Sequence, residues 1–305
     1  MVEVSIIIVS FNTKLLIEKC IKSIITHSRD SNIEIIVVDN NSTDGSIEYL
    51  TKASKKDKRI HVILNSKNLG FGAANNVGLK RAIGDYILLL NSDTCFIEDV
   101  LSRMIVLLER GKDIGIASCA LVNSDGSLQG SGGYFPTLAR VFAWMFFIDD
   151  LPIIGPLSKP FHPMRSKSKS RSAYYQKQRA LDWVTGAFLF MRRRVYEQTG
   201  GFDEDYFMYT EEVDLCYRAK MYNWEVFYDP SVSIIHYGGA SSTSEFSILS
   251  EYKGIKLFYQ KHYSLYAQTA LAFFLKAGAL LRMVLFGILE GKASAKIYGK
   301  AFKMA

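Results

Sequence analysis

Cysteine is scarce: four in 305 residues, at Cys20, Cys95, Cys119 and Cys216, each standing alone. No pair has the spacing of a metal clip or a redox motif. That excludes a disulfide framework and suits a reducing compartment. A leader peptide is not expected, because the chain opens at once into an apolar stretch from Val2. Nucleic-acid motifs are missing, and the long polar loop lacks regularly interleaved aromatics, which argues against a nucleic-acid partner. Apolar residues, by contrast, are plentiful. The chain is 49% hydrophobic and 22% charged, enough to fill the core of one large or two ordinary domains.

The net charge of +7 is unevenly placed. Residues 1–135 hold 15 basic and 15 acidic side chains. Residues 156–181 hold seven basic and no acidic ones, and residues 255–305 hold eight basic and one acidic. The excess therefore sits in one internal loop and in the C-terminal tail. Cations mixed with apolar residues point to an anionic membrane surface.

Hydrophobic patterning sets the fold. Val4–Ser10, Ile33–Asp39, Ile60–Leu64 and Tyr86–Leu90 are short apolar runs of the kind found inside a parallel sheet. Between them lie helical periods, one at Leu15, Leu16, Cys20, Ile21, Ile24 and Ile25, another from Ala73 to Ile83. This alternation predicts an α/β fold, a mostly parallel sheet flanked by helices. Two of its strands run into acids, Asp39 and Asp93, at the sheet edge where such folds bind ligands. Asp93 either grips a cation there or caps the helix predicted at about 98–110. Gly70-Phe-Gly72 has part of a dinucleotide fingerprint, but Asn75 stands where the third glycine belongs.

The alternation stops after Ile114–Val122 and a turn at Asn123-Ser-Asp-Gly126. An aromatic patch follows at 142–148, then a polar basic loop, Ser158–Arg179, read as mobile. Asp182–Met191 reads as one strand with Thr-Gly in its middle, and Glu225–Asp229 and Val232–His236 read as two. Glu211, Glu212 and Asp214 crowd the start of a helix. Its dipole accounts for one or two acids; three after an aromatic run suggest a general base near apolar walls. His236, at a strand end before two glycines, is a candidate metal or diphosphate ligand. Leu265–Leu289 is long enough to span a bilayer. Lys276 and Arg282 make spanning costly, so a helix in the interface is expected, with both cations reaching headgroups.

Eight segments in order resemble the inverting glycosyltransferases of family 2, of GT-A fold, and within them the bacterial rhamnosyltransferase-like members. They are Val4–Asn12, Val37–Ser46, Asn68–Asn76, Leu89–Thr94, Trp183–Ala187, Gly201–Glu204, Glu211–Arg218 and His236–Ser242. The resemblance implies a GT-A domain over 1–243, with a membrane- or acceptor-facing insert at about 136–181, and a membrane-association region over 244–305. It implies a nucleotide site of Ser10, Asn12, Asp39, Asn41, Asn68, Gly70, Asn75, Asn91 and Ser92, with Asp39 on the base. Asp93 and His236 would bind Mg2+ or Mn2+, although Asn91 replaces the first acid of the usual pair. Glu212 would be the base beside Glu211, and Trp183, Gly186 and Asp214 would line the acceptor side. The implied partners are a nucleotide-sugar donor, dTDP-rhamnose or a UDP-sugar, and a glycan or polyprenyl-diphosphate-linked acceptor. The implied place is the cytoplasmic face of the cell membrane. Two rival readings are a nucleotidyltransferase and an inactive membrane-bound scaffold. The first would want a glycine- and cation-rich loop after the first strand, and Ser10–Lys14 is not one.

Overall fold

Apolar runs dry on both faces need a sheet covered on both sides. Four such runs open the chain in a computed structural model, which describes residues 2–28, 32–151, 159–162, 173–238 and 244–305. They are β1 (Val4–Ser10), β2 (Ile33–Asp39), β3 (Ile60–Leu64) and β4 (Tyr86–Asn91). They pair in parallel in the order β3-β2-β1-β4. Their register sets Ser10 beside Asp39 and Val9 beside Asn91, so the polar strand ends share one edge.

Three helices link these strands: α1 (Lys14–His27), α2 (Ser46–Lys56) and α3 (Phe71–Leu79). The buried face of α1 runs through Ile17, Cys20, Ile21 and Ile24, while Leu15, expected on that face, is 72% exposed. Helix α3 stops at Leu79, short of the expected Ile83. There the amides of Ile83 and Gly84 are taken by Ser5 Oγ and Glu34 Oε1 instead of by helical carbonyls.

The second half interleaves. It runs β5 (Thr94–Phe96), α4 (Val100–Arg110), β6 (Ile114–Val122), β7 (Gly132–Gly133), α5 (Leu138–Met145), β8 (Arg179–Leu181), β9 (Trp183–Val184), β10 (Phe188–Arg192), α6 (Arg193–Thr199), α7 (Glu211–Met221) and β11 (Glu225–His236). Strand β10 inserts between β4 and β6, antiparallel to both, and β11 runs parallel to β6 and antiparallel to β5. The stretch expected as one strand over Asp182–Met191 is thus two strands in different sheets, divided at Thr185–Ala187; β9 pairs with β7. Conversely, Glu225–His236 is a single strand, with a register shift between Asp229 and Ser233 that Pro230 makes necessary by offering no ladder donor.

Helices α8 (Ser244–His262), α9 (Leu265–Leu289) and α10 (Lys292–Met304) close the chain. Helix α9 is long and apolar enough to cross a membrane. It packs along α5, α8 and α10 through Leu271, Leu275, Gly278 and Ala279. Arg282, expected at headgroups, is buried instead. It donates to the carbonyls of Trp144 (2.5 Å) and Met145 and lies over the Phe147 ring at 4.5 Å. The end of α5 leaves those carbonyls without helical donors, and the guanidinium supplies them. Lys276 is exposed, as expected. Of the basic loop expected as mobile, residues 163–172 lie outside the described residues, as do 239–243 of the last quoted segment.

Candidate active site

The carboxyl edge of β1, β2 and β4 floors a cavity of about 360 Å³. Its walls include Phe11, Thr13, Asn40, Asn68, Gly70, Phe71, Asn91, Ser92 and Asp93, with Phe207, Met208 and Phe246 opposite. A smaller cavity of about 80 Å³ adjoins it, lined by Thr185, Gly186, Ala187, Tyr209, Glu211 and Glu212. Phe71, Asn91 and Met208 border both.

Asp39 is fully buried at the end of β2. Its Oδ1 accepts from the Ser42 amide at 2.8 Å, while its buried Oδ2 meets no donor among the described residues. A desolvated carboxylate oxygen of this kind is costly unless a ligand donor reaches it. Next to it, Asn40 Nδ2 donates to Asn68 Oδ1 (3.2 Å) and the Gly70 carbonyl (3.1 Å). Asn68 Oδ1 also accepts from the Gly70 amide at 2.9 Å. Gly70 has φ +85°, and a Cβ there would strike the Phe207 carbonyl, which accepts from the Phe71 amide at 2.9 Å. Only glycine serves at such a position. Gly186 likewise leaves room for the Phe71 ring, which an added Cβ would meet at 2.8 Å.

Ser10, Thr13 and Ser92 form a hydroxyl chain along the cavity floor, Ser10 to Thr13 at 3.4 Å and Thr13 to Ser92 at 3.1 Å. Asn12 braces the neighbouring loop, its Oδ1 accepting from the Thr43 amide. Asn41 is exposed at φ +70° and lines neither cavity; Asn40 takes the inward place. Asn75 is buried on α3, donating back to the Phe71 carbonyl one turn earlier, and lines neither cavity.

Asp93 does not cap α4: that cap is Asp99, whose Oδ1 accepts from the Ser102 amide, and β5 lies between. Pairing of β5 with β11 brings His236 beside it, Nε2 to Asp93 Oδ1 at 3.4 Å. The Tyr237 amide donates to the Asp93 carbonyl and fixes the approach. Among the described residues no three His, Cys, Asp or Glu side chains gather into a complete metal cage. Asp93 lines the larger cavity, whereas His236 lines neither; a single carboxylate with water and phosphate oxygens is how Mg2+ is commonly held.

Glu211 and Glu212 open α7 behind two left-handed residues, Tyr209 (φ +71°) and Thr210 (φ +75°). Each keeps a buried Oε2 with no partner among the described residues. Burial, and then the neighbouring Glu212 charge, pushes the Glu211 carboxyl well above the usual range. Burial likewise raises Glu212 to about 7, with a smaller contribution from Glu251. A carboxyl poised there exchanges a proton near neutral pH.

Two residues expected on the acceptor side face elsewhere. Asp214 has no exposed surface; its oxygens are held by Arg218 Nε and His262 Nε2, both at 2.7 Å, in an ion network joining α7 to α8. The Trp183 indole donates to the Tyr134 carbonyl and packs on Phe161 and His162. The wall residues Phe207, Met208 and Phe246, and Gln129 behind His236, carry no sequence signal that separates them from ordinary core or loop residues.

A nucleotide-sized cavity at the strand ends, meeting a small one with two uncharged-leaning carboxyls, defines a GT-A glycosyltransferase. The chain belongs to glycosyltransferase family 2: the model of Glycosyl transferase family 2 matches residues 5–200. It is 25% identical over 226 residues to an N-acetylglucosaminyl-diphospho-decaprenol L-rhamnosyltransferase of Mycobacterium tuberculosis, covering 69% of this chain and 68% of that one. It is 26% identical over 240 residues to rhamnosyltransferase WbbL of Escherichia coli K12, covering 73% and 85%. Two solved structures share the fold. GalNAc-T7 with UDP, GalNAc and Mn2+ aligns with TM-score 0.63 and 14% identity, over 92% of this chain and 51% of that one. The mannosyltransferase PcManGT of Pyrobaculum calidifontis, with GDP-Man and Mn2+, aligns with TM-score 0.58 and 14% identity, over 99% and 85%.

Proposed function

We propose that this chain transfers a sugar, with inversion, from a nucleoside-diphosphate donor to a hydroxyl of a lipid-linked or cell-surface glycan. The observation that carries this is the junction of the two cavities at Asn91, with Asp93 on one side and Glu211–Glu212 on the other. The donor's base and ribose would take the larger cavity, where Asn40 and Asn68 hold the wall; the orphan Oδ2 of Asp39, buried next to Asn40 outside that lining, supports a ring N–H as its partner once the donor enters. Asp93 and His236 would hold Mg2+ or Mn2+, which when bound offsets the charge of the departing diphosphate.

Glu212 removes the proton from the acceptor hydroxyl. The oxygen then bonds to the anomeric carbon on the face opposite the diphosphate. The carbon–oxygen bond to phosphorus breaks, and its electron pair leaves with the nucleoside diphosphate. Glu211, held neutral by its burial, adds no second charge beside the base. Asn91 orients but cannot neutralise, so one carboxylate serves where an acid pair is usual.

The names of the two rhamnosyltransferase relatives support rhamnose as the sugar transferred; we take dTDP-rhamnose as the first donor to try and a UDP-sugar as the second. A polyprenyl-diphosphate-linked acceptor is supported by the first name and by the outer face of α9. Tyr266, Phe273, Leu280, Leu281, Val284 and Ile288 are exposed there, beside Lys292, Lys296 and Lys303 on α10. Such a face suits a helix lying in the headgroup region of the cytoplasmic leaflet. The test is incubation with dTDP- and UDP-sugars, a polyprenyl-diphosphate-GlcNAc acceptor and Mn2+. An inverted glycolipid from dTDP-rhamnose, abolished by EDTA, is expected. No product from any donor would refute the assignment.

A further inference from the structure

Behind His236 stands Gln129, and its bonds are fully specified. Its Nε2 donates to the His236 carbonyl and to Asn123 Oδ1, both at 2.6 Å. With both amide hydrogens used, its Oε1 is left to face His236 Nδ1 at 2.8 Å. An amide oxygen accepts only, so Nδ1 must carry the proton in that bond. In the neutral ring, Nε2 then bears the lone pair, and Nε2 is the atom 3.4 Å from Asp93 Oδ1. Two acceptors this close repel unless a cation or a shared proton sits against both. The backbone stiffens the arrangement: the Gln129 amide donates to the Leu121 carbonyl, and Asn123 is braced by Ser127 across the Asn123–Gly126 turn.

We infer that Gln129 is a positioning residue that fixes the His236 tautomer so that Nε2 faces Asp93 and a divalent cation shared with the donor diphosphate. This rests on the metal-dependent reading of the site given above. Carboxylates and carbonyls behind metal-bound histidines play this part, and their loss commonly costs about 10- to 100-fold in metal affinity. Here a side-chain amide on the strand-to-loop return after β6 does so. Being uncharged, it fixes the ring without drawing a second proton onto it.

The test is Mn2+ titration of the full chain by calorimetry, with and without dTDP, joined to nitrogen-15 NMR of the histidine ring at high pH. Gln129→Leu should weaken Mn2+ binding about 10- to 100-fold and turn the single Nδ1–H tautomer of His236 into a mixture. Gln129→Glu, which can still accept from Nδ1 but cannot donate to the His236 carbonyl or Asn123, should keep the Nδ1–H tautomer and lose less Mn2+ affinity than Gln129→Leu. Asn123→Ala, a gentler change in a turn, should give a smaller loss in the same direction if Gln129→Leu does not fold. Equal Mn2+ affinity and an unchanged tautomer in Gln129→Leu would overturn the inference alone. A wild-type protein that binds no Mn2+, even with dTDP, would overturn it together with the metal reading.

Discussion

The two acidic corners of the site are built on opposite principles. Asp93 sits at a strand end with His236 held 3.4 Å away, a pair of donors that wants a cation. Glu211 and Glu212 sit at a helix start, buried, each with an oxygen that has no partner among the described residues. A helix N-terminus ordinarily favours ionised acids. Here desolvation outweighs it, and the carboxyls lean towards their neutral forms. The same functional group thus stands beside a histidine nitrogen in one corner and, desolvated, near its titration point in the other.

The sharpest way to break this contrast is Glu212→Gln. Transfer should fall by about 10²- to 10⁴-fold in kcat. Donor binding, followed by dTDP titration, should be unchanged, and Glu211→Gln should cost less. Near-normal turnover in Glu212→Gln would remove it as the base. Asp93→Asn should instead weaken Mn2+ and donor binding together by about a hundredfold or more, because a direct ligand outweighs its orienting partners. A selective loss of kcat there would erase the distinction between the corners.

Acidity separates them next. Activity should fall about tenfold per pH unit below about 7, as Glu212 gains its proton. A break near the ordinary glutamate value of 4.5 would contradict this. The same shift predicts stability. Because its folded-state pKa is raised, Glu212 favours folding fully below pH 4.5, and that contribution is lost as pH climbs from there through about 7. Glu212→Gln should therefore raise the melting temperature at pH 8 and change it little at pH 4. The smallest effect is geometric: Gly70→Ala, strained at φ +85°, should cost about 1–3 kcal/mol in urea unfolding and loosen donor binding at the Phe71–Phe207 contact.

How much of this could be read from sequence follows from how local each signal is. β1 to β4 were legible as strands because each carries its own apolar run, although β1 reaches β4 across 82 residues, Val4 to Tyr86. The placing of Asp39 and Asp93 at one edge of the sheet was legible because each follows closely on its own apolar run. The insertion of β10 between β4 and β6 was not, since its apolar run does not say which of several apolar strands lie on either side of it. Asp214 misled for a related reason. Its place beside Glu211 and Glu212 suggests the same role, yet three residues along a helix turn it towards Arg218 and His262. Gln129 was invisible because only the β5–β11 pairing sets His236 where a glutamine after a turn can reach it.

Arg282 has a consequence for sidedness. To thread α9 through a bilayer, its guanidinium would have to leave the Trp144 and Met145 carbonyls and enter hydrocarbon bare, at a cost of several kcal/mol. On the proposed membrane-surface reading, the residue would work as a topological latch that keeps both ends of this 25-residue apolar helix on the side of the sheet. Cysteines placed at Tyr266 and Ile288 should label with a membrane-impermeant thiol reagent from the same side of a sealed vesicle. Labelling from opposite sides would show that the latch opens. If it holds, the proposed donor and lipid-linked acceptor would have to meet on a single face of the membrane.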